Sequence, residues 1–142
     1  MRLCAVYDSI ILPGIKYNCI LNLKLTETQK QCLASLDRRA ANILGKNVTS
    51  IENLMKLHAL KLVKKCLDGK VCELFRDYFT LHHHEKLTRN NTHLLKIPRV
   101  KLEISKCGFY WMGVKLFNSL PLEIRKIESF SQFGCLVRNF LV

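Results

Sequence analysis

Between Lys106 and Arg125 the chain reads Lys-Cys-Gly-Phe-Tyr-Trp-Met-Gly-Val-Lys-Leu-Phe-Asn-Ser-Leu-Pro-Leu-Glu-Ile-Arg. Phe109, Tyr110, Trp111, Met112, Leu116 and Phe117 crowd into it, including the single tryptophan of the protein. Each aromatic side chain that leaves water removes a large apolar area, so the segment demands a partner surface. Asn118 and Ser119 compete for backbone hydrogen bonds, and Pro121 cannot continue the preceding helix. Proline suits the first turn of a new helix, so Pro121 to Ile124 reads as a short turn ending in Arg125. An aromatic helix docked on a core, then a corner, is what this stretch dictates.

The rest of the chain supplies helices to receive it. Arg2 to Leu12 is apolar enough for a buried helix, broken or kinked at Pro13-Gly14, and Ile15 to Leu23 resumes the pattern. Thr26 and Gln29 have capping-box spacing. Leu33, Leu36, Ala40, Ile43 and Leu44 then share one helical face, and Gly45 stands where a left-handed C-cap is wanted. The next helix opens at Thr49 or Ser50 and closes at Gly69. Its apolar residues, from Ile51 through Met55, Ala59 and Val63 to Leu67, cover a wide arc, as a central helix requires. Val71 to Phe79 reads as a short helix with Leu74, Phe75 and Tyr78 inward. Residues 80–99 read as an exposed loop, with Asn90-Asn91 as a turn. Val100, Leu102 and Ile104 alternate with polar residues, a strand or lone extended segment behind Pro98. Ser129 and Gln132 form a second capping box before a terminal helix faced by Phe130, Phe133, Val137, Phe140 and Leu141. The expected fold is mainly α, a small helical bundle over residues 1–142 with a short extended segment before the aromatic C-terminal helix.

Composition narrows the chemistry. The 142 residues suit one domain, and no apolar run approaches the length needed to span a bilayer. Arg2 to Tyr7 has the look of an export signal, but Asp8 interrupts it and no cleavage site follows, so an intracellular protein of nucleus or cytoplasm is expected. Seven cysteines without framework spacing then read as reduced thiols. A two-metal polymerase or nuclease needs clustered carboxylates, whereas Asp8, Asp37, Asp68 and Asp77 are widely spaced. Zinc would have to draw on Cys66, Cys72 and the His82-His83-His84 run, whose spacing is poor for a structural site. No catalytic, metal or cofactor residues are therefore assigned.

Charge is the stronger signal. A net +12 favours a polyanionic partner, nucleic acid ahead of membrane. The excess lies in two stretches: 23–70 holds ten Lys or Arg against four acids, and 82–142 holds ten against four. His58, Lys61, Lys64 and Lys65 fall within an arc of roughly 120° on the central helix. Lys61, Lys64 and Lys65, with Arg38 and Arg39 on the helix before, are the candidate phosphate contacts. The plain alternative is a solvated face.

Two sets of residues carry a resemblance. Val6-Tyr7-Asp8-Ser9-Ile10-Ile11-Leu12-Pro13-Gly14-Ile15-Lys16-Tyr17 with Leu36-Asp37-Arg38-Arg39-Ala40-Ala41-Asn42-Ile43-Leu44 is one. Gly108-Phe109-Tyr110 through Leu116-Phe117-Asn118-Ser119-Leu120-Pro121 to Ile124-Arg125, closed by Ser129 to Leu141, is the other. Together they resemble, in order and spacing over nearly the whole chain, the thumb and C-terminal region of non-LTR, jockey-type retrotransposon reverse transcriptases. Phe117 stands where that family usually has Trp, and the Tyr-x-Asp-Asp motif of the palm is absent. The resemblance implies a piece of an RNA-directed DNA polymerase without its catalytic core. Such a piece would be no enzyme, and would touch template–primer or element RNA through the backbone. The competing expectation is a protein-interaction or structural helical module, or an unselected gene remnant.

Overall fold

The structure, a computed structural model, describes residues 2–18, 23–45, 49–81 and 93–141. The Cys19–Asn22 part of the second helical stretch and the His82-His83-His84 and Asn90-Asn91 readings lie outside these residues.

The N-terminal run is helical throughout: α1 (Arg2–Val6), a π-helical segment (Tyr7–Ile11) and α2 (Leu12–Asn18). Of the break or kink expected at Pro13-Gly14, the break does not occur. Proline clashes with the carbonyl four residues back in α geometry. The π turn just ahead of it, closed by the Leu12 N–H on the Tyr7 carbonyl, loosens the ladder where that clash would fall. Ser9 Oγ donates to the Ala5 carbonyl at 2.6 Å within the same segment. Nor is this run buried as its hydropathy suggests: among its side chains of described burial Tyr7 is buried, and Val6, Ile10 and Ile11 are exposed.

Helix α3 (Glu27–Leu44) is bounded as the sequence predicts. Thr26 Oγ1 accepts from the Gln29 N–H, Gln29 Oε1 accepts from the Thr26 N–H, and Gly45 takes the left-handed conformation at φ 61°. Helix α4 (Ile51–Leu67) follows, and its first turn is held by α3: the Ile51 N–H points at both carboxylate oxygens of Asp37, 3.2 and 3.3 Å away. A carboxylate at that end also suits the positive pole of the helix.

Around α4 the core assembles. Helix α6 (Phe109–Asn118) crosses it where Gly113 meets Val63; a Cβ at Gly113 would lie 3.0 Å from Val63 Cγ2. Helix α8 (Phe130–Leu141) runs antiparallel along another face: Phe130 lies against Lys65, Gly134 against Lys61, and the Leu141 carbonyl accepts from Asn53 Nδ2. Leu60, Val63, Val114, Phe117, Phe133 and Val137 are the largest fully enclosed side chains among the described residues, with Leu95 from the preceding segment. The short α7 (Leu122–Arg125), begun at Pro121, turns the chain from α6 into α8. Its Arg125 Nε donates to the Leu120 carbonyl at 3.0 Å, closing the corner.

Three other expectations change. The helix read over 71–79 is a single turn, α5 (Glu73–Arg76), so a 3.6-residue period cannot carry to its end. Leu74, Phe75 and Tyr78 stay exposed, and Phe79 turns inward onto Phe109 at 5.6 Å between ring centroids. No strand forms at 100–104: no neighbouring chain pairs there, Leu102 and Ile104 are exposed, and Glu103–Cys107 coils into a 3₁₀ turn braced by Glu103 and Lys106. The 80–99 stretch is not wholly an exposed loop. Leu81 and Leu95 form an isolated antiparallel bridge, and Leu95 is only 1% exposed. Asn118 clamps it: Oδ1 accepts from the Leu95 N–H at 2.8 Å and Nδ2 donates to the Leu95 carbonyl at 2.9 Å.

Trp111, expected among the buried rings, is half-buried, with the Lys115 ammonium 4.1 Å above its ring. Phe117→Ala should therefore cost about 3–5 kcal/mol in denaturant unfolding, against about 1–2 kcal/mol for Trp111→Ala. Equal losses would contradict this partition of the aromatic helix.

Candidate nucleic-acid interface

The five predicted contact residues do not form one stripe. Arg38 and Arg39 are exposed on α3, one and two residues after the Asp37 that caps α4, and so stand level with the start of α4. Lys61 lies ten residues further along α4, about 15 Å at 1.5 Å per residue. That distance spans about four or five phosphates of one duplex strand.

Lys61 and Lys65 border α8. A Cβ at position 134 would fall 2.9 Å from Lys61 Cε, so Gly134 leaves the groove through which the lysine stem passes. The Lys65 ammonium stands 5.6 Å from the centroid of the Phe130 ring and is exposed. The Lys61 ammonium also lies close, 3.4 Å from that Cβ position, and the residue is half-buried, whereas the Lys65 head reaches solvent.

Lys64 is a correction. It is buried, and its ammonium pairs with Asp68 Oδ1 at 2.9 Å; the other oxygen of Asp68 is 3.7 Å from Lys70. A buried charge held by a neighbouring carboxylate serves the end of α4 and is not free for phosphate.

Local pairing recurs. Glu27 binds Lys30, Glu52 binds Lys56 and Glu103 binds Lys106, each one helical turn away. With Asp68 and the Asp37 cap, five acids are thus engaged close to home. Among the described residues Arg38, Arg39, Lys61 and Lys65 make no ion pair, and neither do Lys96, Arg99 and Lys101, all exposed on the segment before the 3₁₀ turn. No helical or strand period groups that last trio in the sequence, since Lys96 and Arg99 straddle Pro98. Three cations within six residues were the available signal.

A concavity of about 390 Å³ lies beside the aromatic helix and is lined by Leu62, Cys66, Phe75, Tyr78, Phe109 and Tyr110. Tyr78 joins Phe75 at 5.3 Å and Tyr110 at 4.8 Å between centroids. Burial, with Cys72 nearby, pushes the Cys66 thiol up, away from nucleophilic thiolate. The six described cysteines are free thiols, and the described residues contain no cluster of three or more His, Cys, Asp or Glu able to hold a metal. No helix among them is long and apolar enough to cross a membrane.

The comparisons were negative. No family model, curated protein or solved structure matches this chain.

Lys64→Gln should lower stability by about 1–3 kcal/mol, because Asp68 would lose its closest partner; an unchanged denaturation midpoint would return Lys64 to the surface set. His58 gives a pH signature. Burial, then Lys16 and Lys61, lower its pKa from the ordinary 6.5. The unfolded chain therefore takes up that proton first as pH falls. Its contribution is complete above about pH 6.5, declines below it and levels off under the folded-state value. Urea midpoints at about pH 7.5 and 5.5 should differ less for His58→Gln than for the parent; equal differences would show that His58 is not the source.

Proposed function

We propose that this chain is the post-palm part of a non-LTR retrotransposon reverse transcriptase, lacking the catalytic core, and that it holds nucleic-acid backbone. The observation carrying the second half is the uneven neutralisation of charge. Asp68, Glu27, Glu52 and Glu103 each pair with a lysine of their own neighbourhood, leaving Arg38, Arg39, Lys61 and Lys65 without an ion pair among the described residues. Condensed cations on a duplex are displaced by such side chains, and the released ions drive binding without base readout.

The first half rests on the sequence resemblance. The packing gives its C-terminal motif a physical sense: Phe117 fills the core, Asn118 clamps Leu95, Pro121 starts the turn and Arg125 closes it. These are architectural roles, so contact with nucleic acid falls to the basic surfaces. The aspartates are widely spaced along the sequence, so on this reading the chain does not polymerise.

Binding to a duplex and to a single strand of the same sequence should weaken steeply with salt. Changing Arg38, Arg39, Lys61 and Lys65 together to Gln should lower the slope of log K against log salt by roughly three units on duplex. A slope that does not move would sink the backbone-contact reading. Magnesium- or manganese-dependent primer extension by the purified chain would sink the core-less reading.

A further inference from the structure

Helix α3 is eighteen residues long and capped at both ends, yet none of its residues is buried. Leu36 is 50% exposed and Ile43 67%, and across from them Val6 and Ile11 are exposed to a similar degree. Between these walls lies an open trough of about 380 Å³, floored by the buried Tyr7 and Ile51. Helices of this kind owe most of their stability to packing of the apolar face, and here Leu33 packs toward Ile51 and Met55 while Leu36 and Ile43 are left open.

We propose that this trough docks an amphipathic helix of a partner protein, with acidic residues flanking the partner's apolar stripe. Two helix faces meeting at an apolar valley accept a third helix by interdigitation of side chains at i, i+3, i+4 and i+7. Nucleic acid is a poor occupant, since apolar walls would strip phosphates of water and return no hydrogen bonds. Charge selects the sign of the partner. Arg39 is the one charged residue lining the trough among the described residues; it is exposed and makes no ion pair there. Asp8 and Lys16, carried by the helices of the other wall, do not line it. A second copy of this chain would bring Arg39 toward Arg39 across a two-fold interface, in a molecule of net charge +12. A carboxylate on the incoming helix meets that arginine instead, in the bidentate geometry guanidinium favours.

The test uses the full chain and a fluorescein-labelled synthetic peptide of roughly 18 residues, about five helical turns. It carries leucines on one face and glutamates beside them. Controls are a scramble of the same composition and a version with lysine for glutamate. Fluorescence anisotropy should show the acidic amphipathic peptide binding roughly tenfold or more tighter than the scramble. The double variant Leu36→Gln, Ile43→Gln should lose that binding while keeping the parent's thermal unfolding, because both side chains are solvent-exposed. Should the pair disturb the fold, Ile43→Ala alone takes its place, with a smaller loss expected. Arg39→Glu should shift preference to the lysine peptide. Equal binding of the scramble would reduce the effect to bulk charge and overturn the proposal, as would full binding by the groove variants. Sedimentation showing a dimer that the groove variants dissociate, with no peptide binding, would assign the trough to a second copy. Nucleic-acid binding should survive the two glutamine changes, so the two readings fail independently.

Discussion

Everything in this fold depends on how closely α4 can be approached. Val63 is completely enclosed, and α6 reaches it because position 113 has no side chain. On another face α8 closes down because position 134 has none, leaving space for a lysine stem. Interiors are packed like crystals, so a methyl at either glycine would have to move something. At Gly134 the obstacle is the far end of a flexible lysine, which can give way. At Gly113 it is a β-branched side chain with Phe109 and Phe79 behind it, which has less freedom. The contact between α4 and α6 is the less forgiving of the two.

What could be read beforehand was mostly local. Thr26, Gln29 and Gly45 mark α3 because caps act over three or four residues, and the wide apolar arc of α4 required burial on several sides. The corner at Pro121 followed from the ring and the missing N–H. Readings that needed tertiary knowledge fared worse. Alternation at Val100, Leu102 and Ile104 suits a strand only if another strand lies alongside, and periodicity carries no information about neighbours. Phe79 rather than Tyr78 faces inward because the helix before it stops after one turn, a matter of a single residue in phase.

The candidate interface shows the same division. Exposure of Arg38, Arg39 and Lys65 followed from helical phase alone. Lys64 shares that arc with Lys61 and Lys65, yet a carboxylate four residues on, in a partly buried setting, withdraws it from solvent. Composition counts charges without regard to such pairing. The effective cation supply is what remains after Asp68, Glu27, Glu52 and Glu103 have bound their neighbours.

The clamp of Asn118 on Leu95 has one more consequence. It joins the end of α6 to a backbone position 23 residues earlier through one donor and one acceptor. An aspartate at 118 would keep an acceptor for the Leu95 N–H but bring no donor for the Leu95 carbonyl. The amide is thus the smallest side chain group that can close both halves of the clamp, and the extended backbone at Leu95 is held in register by chemistry and not by shape alone.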